Sequence, residues 1–258
     1  MEDLRVAILA DIHGNPIALD AVLEDIEARD GADEFWLLGD LAAIGYAPLE
    51  VLQRLAALPQ AHFIRGNTDR YIVTGELPGP PQELAQKDPK LFKKVIEVAS
   101  SFAWTAGAVT TAGWGPWLAA LPLEMRRQLP NGKRVLAAHA APGTDDGNGI
   151  RNDTPDEELR NMIAGADADL ILVAHTHVPF DRMIDGVRVV NPGSVSNPFS
   201  PDLRACYAFL TCSRENDSIE LRRVDYNHQA AIEATLRSGH PAANYIAGFL
   251  RGEKSRSG

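Results

Sequence analysis

Five short segments of this chain place carboxylate, imidazole or amide side chains directly after apolar, strand-like runs. They are Asp11-Ile12-His13, Gly39-Asp40, Gly66-Asn67-Thr68-Asp69, His139 and His175-Thr176-His177. A fold that uses all five together must bring the C-terminal ends of several strands to one edge. Open α/β sheets do this and bind their ligands there. Any one segment alone is ordinary turn or surface chemistry. Jointly they supply oxygen and nitrogen donors and no thiolate, a donor set that suits Mn²⁺, Fe or Zn²⁺ better than Ca²⁺ or a cysteine zinc site. Two such cations about 3.5–4 Å apart bind phosphate oxygens and lower the pKa of a bridging water. The pattern therefore points to metal-assisted hydrolysis of a phosphate bond.

Each segment has its own logic. Asp11 and His13 stand two apart, so on an extended backbone both would face one side. Gly39 lets the chain turn tightly before Asp40, whose two oxygens suit it to bridge a pair of cations. Asn67 offers a neutral amide oxygen, and His139, His175 and His177 offer ring nitrogens. His62, His228 and His240 fall outside the set and read as ordinary histidines.

The surrounding periodicity supports the α/β expectation. Leu4–Ala10 is a continuous apolar run of strand length. Pro16–Arg29 carries Ile17, Leu19, Val22, Leu23 and Ile26 at helical spacing, with Asn15 as N-cap and Pro16 at the first helical position. Phe35–Leu38 reads as a strand, Pro48–Ala57 as a helix and Ala61–Arg65 as a third strand. This β-α-β-α-β order predicts parallel strands. Pro78, Pro80 and Pro81 then break the chain. Leu91–Trp104 and Thr111–Leu121 read as helices, with Trp104, Trp114 and Trp117 as packing anchors. From Glu124 the pattern turns β-rich. Glu124–Leu129 and Lys133–His139 flank Pro130-Asn131-Gly132, a hairpin signal. A helix at Pro155–Ala164 precedes the strand Leu170–Ala174. A second hairpin runs from Phe180 through Asp185-Gly186 to Val190. Strands near Ala205–Thr211 and Ile219–Asp225 precede helices near His228–Arg237 and Ala242–Leu250. The expected architecture is two stacked mixed sheets flanked by helices, in one domain over residues 1–251. Its helical segment falls at about 78–121, and a polar, flexible tail covers 252–258.

Bulk properties narrow the function classes. The chain has 258 residues, 45% hydrophobic and 23% charged, enough for one large core. Its net charge of −10 and pI near 5.2 argue against an extended nucleic-acid groove, which needs a basic footprint. A small phosphorylated substrate is compatible, because bound cations invert the local charge. The start of the chain lacks the basic and long apolar regions of a signal peptide, and no apolar run approaches membrane-spanning length. Cys206 and Cys212 alone suggest neither a disulfide framework nor a metal site, and the two read as buried core residues. A cytoplasmic location is the expectation.

The five segments resemble the signature of the calcineurin-like metallophosphoesterase superfamily: D-x-H, G-D, G-N-H-[DE], H and G-H-x-H. The run Val190-Asn191-Pro192-Gly193-Ser194-Val195 is similar to the strand and loop after the last histidines in its small bacterial and archaeal phosphodiesterases. The resemblance covers most of the chain. It implies a four-layer αββα sandwich and a dinuclear centre. Its first site would use Asp11, His13, Asp40 and His177, and its second Asp40, Asn67, His139 and His175. Manganese is the first expectation, with iron or zinc next. It further implies weak control over substrate, among aryl phosphates, phosphodiesters, cyclic nucleotides and dinucleoside polyphosphates, of which small phosphodiesters or nucleotide phosphoanhydrides are the expectation here. The catalytic group would comprise Asp40, Thr68, Asp69 and His13.

Two departures stand out. Ala174 replaces a glycine, which is tolerated if its φ is negative. Thr68 replaces the histidine of G-N-H-[DE], which is usually assigned to protonating the leaving oxygen. Threonine donates a hydrogen bond but is a poor acid, which favours substrates with good leaving groups. Arg70 reads first as a solvated arginine and otherwise offers a guanidinium to phosphate, and Asn15 is mainly a cap of the first helix that also aims its N-terminus at anions. These two are the candidate substrate-binding residues. The Asp-, Asn- and Gly-rich loop Pro142–Arg151 is expected to help form the pocket. The alternatives are a phosphomonoesterase acting on phosphoprotein and a non-catalytic scaffold on the same fold. All seven candidate ligands are present, which favours an enzyme. The partner is then a small phosphorylated molecule, a nucleotide among the options, and a homo-oligomer is left open.

Overall fold

The computed structural model describes residues 3–78, 89–199 and 201–253. Pro80, Pro81 and the tail from residue 254 onward lie outside the described residues. Two five-stranded mixed sheets form the centre of the molecule, in strand orders β10-β9-β1-β2-β3 and β4-β5-β6-β8-β7. In the first, β1 (Leu4–Leu9) pairs in parallel with β2 (Glu34–Leu37), and β2 with β3 (Ala61–Phe63). The antiparallel pair β9 (Ala205–Cys212) and β10 (Asp217–Val224) extends it on the other side of β1. In the second sheet, β5 (Arg134–Ala138), β6 (Leu170–Leu172) and β8 (Val187–Asn191) run parallel. The hairpin partners β4 (Glu124–Gln128) and β7 (Phe180–Ile184) form its two edges.

The layering follows from the period-two alternation of side chains along buried strands. Val6, Ile8, Trp36 and Leu38 of the first sheet share one cluster with Val135, Ala137, Leu170 and Leu172 of the second. The alternate residues Ala7, Leu9, Phe35 and Leu37 pack instead with Leu19 and Val22 of helix α1 (Pro16–Glu27) and Leu52 of α2 (Pro48–Ala56). Leu136, Ile171 and Val173 face the other way, against Leu159 of a helix at Asp156–Ile163. Helix, sheet, sheet and helix therefore stack in that order, as the resemblance implied.

Three local expectations change. Helix α3 (Asn67–Thr74) starts inside the Gly66–Asp69 segment, which had no helical assignment. Its signal was present: Asp69 at the third position returns to the Gly66 N–H, a capping arrangement. The strand expected to reach Arg65 ends at Phe63. The helix expected to end at Trp104 continues as α4, Pro89–Thr111, and only a short α5 (Gly115–Ala119) follows. Val109 and Phe102 are buried in the cluster that includes Leu52 of α2 and Tyr71 of α3, and the Phe102 ring meets Tyr71 edge to face, so tertiary packing carries α4 past the weak propensity of its Ser and Thr residues. The remaining helices are α6 (Asp156–Ile163), α7 (His228–Arg237) and α8 (Ala243–Leu250). Among the described residues no helix is long and apolar enough to cross a membrane.

Candidate metal centre

The five segments meet at one end of the sheets. Asp11 and His13 follow β1, Asp40 follows β2, Asn67 opens α3 after β3, His139 follows β5, and His175 and His177 follow β6. Asp11 and His13 do not lie on an extended backbone as the spacing suggested. Both adopt left-handed conformations, φ +53° and +47°, as do Asp40 (+56°), His175 (+65°) and His177 (+59°). Such residues cost about 1–3 kcal/mol each and persist where surrounding structure over-determines them. Here the Asp11–Gly14 turn is bonded along the one after β2, with Asp11 N donating to Gly39 O, Ile12 N and His13 N to Asp40 O, and Gly14 N to Leu41 O. Ser194 Oγ donates to Asp11 O at 2.8 Å. Ala174 lies outside the left-handed region, so it substitutes for glycine without backbone strain.

Close approach requires glycine at two positions. A Cβ on Gly39 would sit 2.3 Å from Gly66 N, and one on Gly66 would sit 2.1 Å from Asp40 Oδ1. The turns after β2 and β3 thereby touch, and Thr68 N donates to Asp40 Oδ1 at 2.9 Å.

Three imidazoles are oriented by backbone carbonyls. His13 Nδ1 donates to Ala43 O at 3.0 Å, His139 Nδ1 to Leu38 O at 2.6 Å and His177 Nδ1 to Asn197 O at 2.6 Å. A carbonyl can only accept, so Nδ1 holds the proton and Nε2 turns inward, the arrangement that second-shell carbonyls impose on metal ligands. His13 Nε2 and His177 Nε2 face each other at 3.2 Å. His177 Nε2 is 3.5 Å from Asp11 Oδ1, and His13 Nε2 is 3.7 Å from Asp40 Oδ2. Asp11, His13, Asp40 and His177 are buried, with ligand atoms within 4.8 Å of one another, and could hold a metal ion. On the other side, His139 Nε2 lies 3.4 Å from Asp40 Oδ1 and 3.9 Å from Asp11 Oδ1. The two Asp40 oxygens thus face different histidines. His175 Nδ1 is 3.0 Å from Asn67 Oδ1, and its Nε2 donates to Gly147 O at 2.9 Å.

The electrostatics describe a site built around positive charge. Burial, and then the charges of Asp40 and Asp69, push the Asp11 carboxyl well above its ordinary value. Burial opposes ionisation of Asp40 too, but His139 and His13 hold it below the usual carboxylate range. Burial lowers His13, and burial with the neighbouring His13 presses His177 down to about 3. His139 runs the other way: against its burial, Asp40 and then Asp11 push it up to about 10. Both oxygens of Asp11 are buried without a hydrogen-bond partner among the described residues. An unpartnered buried carboxylate costs several kcal/mol unless a cation compensates it.

Arg70 and Asp69 are placed differently from expectation, and Asn15 caps α1 as expected. Arg70 is not open to a phosphate. Its Nε donates to Asp145 at 3.1 Å, its Nη2 to Asp146 at 2.8 Å, and its Nη1 pairs with Glu76. Asp145 is buried and also accepts from Arg65 Nε at 2.7 Å, so these arginines anchor the loop that carries Gly147. Asn15 is likewise occupied. Its Oδ1 accepts from Ala18 N at 3.1 Å and from the Tyr46 hydroxyl at 3.2 Å, and its Nδ2 donates to Ser196 Oγ at 3.2 Å. It is the buried cap of α1. Asp69 faces backbone: it accepts from Asp40 N at 2.8 Å, Gly66 N at 2.9 Å and Leu41 N at 3.0 Å. Burial and the Asp40 charge push its carboxyl up to about 7, with the Gly66 and Leu41 N–H groups pulling the other way. Thr68 is buried, and its Oγ1 has no hydrogen-bond partner among the described residues.

The 142–151 loop does border a cleft, as expected. A cavity of about 560 Å³ opens beside His175, lined by Gly147, Arg151, Thr154, Glu158 and Phe199 among others. The sequence reading missed Phe199, whose ring stacks on His177 at 4.9 Å between centroids. It also missed the carbonyls of Ala43, Leu38 and Asn197, which no side-chain motif can announce.

Comparison with known proteins agrees with this geometry. The family model for the calcineurin-like phosphoesterase superfamily domain matches residues 4–215. The uncharacterized protein MJ0912 of Methanocaldococcus jannaschii is 27% identical, over 92% of this chain and 93% of its own. A metallophosphoesterase from Sphaerobacter thermophilus superposes with a TM-score of 0.75 at 23% identity, covering 96% of this chain and 98% of that one. A symmetrical bis(5'-nucleosyl)-tetraphosphatase of Cronobacter sakazakii is 36% identical over 67 residues, 26% of this chain and 24% of that protein.

Proposed function

The chain belongs to the calcineurin-like phosphoesterase superfamily, and from that premise we propose that it is a dinuclear-metal phosphoesterase. Its substrates would be small phosphodiesters or nucleotide phosphoanhydrides. The first ion would be held by Asp11, His13, Asp40 and His177, and the second by Asp40, Asn67, His139 and His175, with manganese favoured over iron or zinc. One observation carries the reading: the Nε2 atoms of His13 and His177 face each other at 3.2 Å, each with its proton committed to a carbonyl on the opposite side of the ring. Two ring acceptors at that distance, beside an unpartnered carboxylate, are mutually repulsive until a cation lies between them. Divalent cations bound there would neutralise phosphoryl oxygens and lower the pKa of a water.

The chain's own residues supply the rest. Asp40 offers one oxygen to each half of the centre, and the Thr68 N–H fixes the orientation of its carboxylate. The N-terminus of α3 points into the site with its positive dipole end, which favours an anion. Thr68 Oγ1 can donate a hydrogen bond but no readily lost proton, so substrates that leave as weakly basic anions fit best. The tetraphosphatase likeness, limited to 67 residues or 26% of the chain, supports including nucleotide anhydrides. Residues 1–251 are taken as one domain, with the α4–α5 segment packed on helices α2 and α3.

The test is direct. Purified protein should contain Mn, Fe or Zn by elemental analysis and hydrolyse bis(p-nitrophenyl) phosphate. Exhaustive chelation should abolish that activity, and Mn²⁺ should restore it. Asp40→Asn should lose far more activity than His62→Ala. Full activity in verified metal-free protein would refute the proposal.

A further inference from the structure

A second cavity, of about 470 Å³, adjoins the first across Phe199, the ring that stacks on His177. It is lined by Lys90, Lys93, Lys94 and Glu97 of α4, by Tyr245 and Phe249 of α8, and by Phe199. Lysine is scarce in this chain: the sequence has six, against a net charge of −10, and three line this groove. Their position breaks a local rule. They occupy the first two turns of α4, which has no acidic residue in its first turn. Cations are disfavoured near a helix N-terminus by its dipole. Local conflicts of this kind gather where function maintains them. The lysines and the helix dipole together make the groove attractive to anions, and Glu97 is the one acidic residue lining it among the described residues. The rest of the lining is aromatic. Tyr245 and Phe249 meet edge to face at 5.2 Å between centroids, and Phe199 is 40% exposed. A further cavity of about 180 Å³ lies against Lys94 and Tyr245 and reaches Ile44, next to the Ala43 carbonyl that orients His13.

We propose that this groove is the binding subsite for the part of a nucleoside polyphosphate beyond the scissile phosphate. Lys93 and Lys94 contact the distal phosphates, and the Phe199, Tyr245 and Phe249 wall receives the base. Ammonium groups serve phosphates as mobile point charges, and aromatic faces stack any base without reading its sequence. Phe199 joins the two halves, with one side toward the metal centre and the other toward the lysines. The inference rests on the phosphoesterase reading and narrows it. Small diesters would occupy the centre alone, and nucleotide polyphosphates would extend over Phe199 into the groove.

The double variant Lys93→Gln/Lys94→Gln tests this. Both side chains are exposed, so the fold should survive, checked by an unchanged melting curve. With Mn²⁺ present, binding of adenosine 5′-(β,γ-imido)triphosphate should weaken about tenfold or more. The ratio of kcat/KM for diadenosine tetraphosphate to that for bis(p-nitrophenyl) phosphate should fall by a similar factor. Both effects should shrink toward 1 M salt, where the screening length is roughly 3 Å. Phe199→Ala should weaken binding of the imido nucleotide more than that of inorganic triphosphate. Nucleotide affinity and substrate ratio both within twofold of wild type in the double variant would overturn the subsite and leave the hydrolase reading standing. Lysine-dependent nucleotide binding by a wild-type protein that hydrolyses neither substrate would do the reverse.

Discussion

Replacing Asp69 with asparagine is the substitution that most sharply separates holding the site from acting in it. The Asp69 carboxylate is fully buried and accepts three backbone N–H groups, from Asp40, Gly66 and Leu41. Two of these bonds end on Oδ2 and one on Oδ1. Asparagine has a single acceptor oxygen. If that oxygen serves Asp40 and Gly66, its NH₂ group faces the Leu41 N–H across about 3 Å, donor against donor. The variant loses a charge-assisted bond, weakens two others and buries an unsatisfied donor. Hydrogen bonds to charged groups contribute about 1.5–3 kcal/mol, and an unsatisfied buried group costs about 1–3 kcal/mol. The expected loss is about 3–4 kcal/mol by urea denaturation of metal-free protein at a pH well above 7, where the Asp69 carboxyl is ionised. The anchored backbone includes Asp40 in its left-handed conformation, so Mn²⁺ affinity by calorimetry should also fall, about 10–100-fold as for other outer-shell ligands. A leaving-group series on the variant should keep the wild-type slope, because no proton is transferred through Asp69. A stability loss below about 1 kcal/mol with unchanged Mn²⁺ affinity would refute the anchoring argument. A changed leaving-group slope would return Asp69 to the reacting groups.

Three further outcomes are expected. Thr68→His should accelerate alkyl monoesters selectively, by up to about 10²-fold, the low end of general acid catalysis; a flat leaving-group dependence in wild type would show that another group already supplies the proton. Arg70→Ala should lower the melting temperature while changing KM for bis(p-nitrophenyl) phosphate less than threefold, since its guanidinium is held by Asp145, Asp146 and Glu76; a large KM effect at unchanged stability would make it a substrate contact. Burial holds His240 down to about 4, and its Nδ1 accepts from Ala242 N at 3.0 Å. The unfolded chain takes up this proton first, near pH 6.5. This contribution is therefore fully present above about pH 6.5 and is lost as pH falls toward 4, by at most about 3 kcal/mol. His240→Gln should flatten the difference in unfolding free energy between pH 7.5 and 5, and an unaltered difference would sink the assignment.

Much of the centre was legible because its ligands follow strands whose apolar runs are unmistakable. Val6-Ala7-Ile8-Leu9, read as a continuous apolar run of strand length, alternates between two clusters, as a strand buried on both faces does. What the sequence concealed is conformational or distant. The spacing of Asp11 and His13 suggested an extended segment, but two-residue periodicity cannot distinguish that from successive left-handed turns, which here depend on bonds to Gly39, Asp40 and Leu41. Arg70 looked available because two of its partners, Asp145 and Asp146, lie more than seventy residues away, in a loop whose acidic residues resembled pocket lining. Helix α3 was hidden by its own chemistry, since Gly66, Asn67, Thr68 and Asp69 are poor helix formers that read as a turn. Its N-terminus nevertheless begins at the one place where free N–H groups are useful, against Asp40 Oδ1. The Asp69 side chain closes that turn and bonds the strand end that carries Asp40. The low-propensity segment is therefore both a helix start and a clamp between two strand ends.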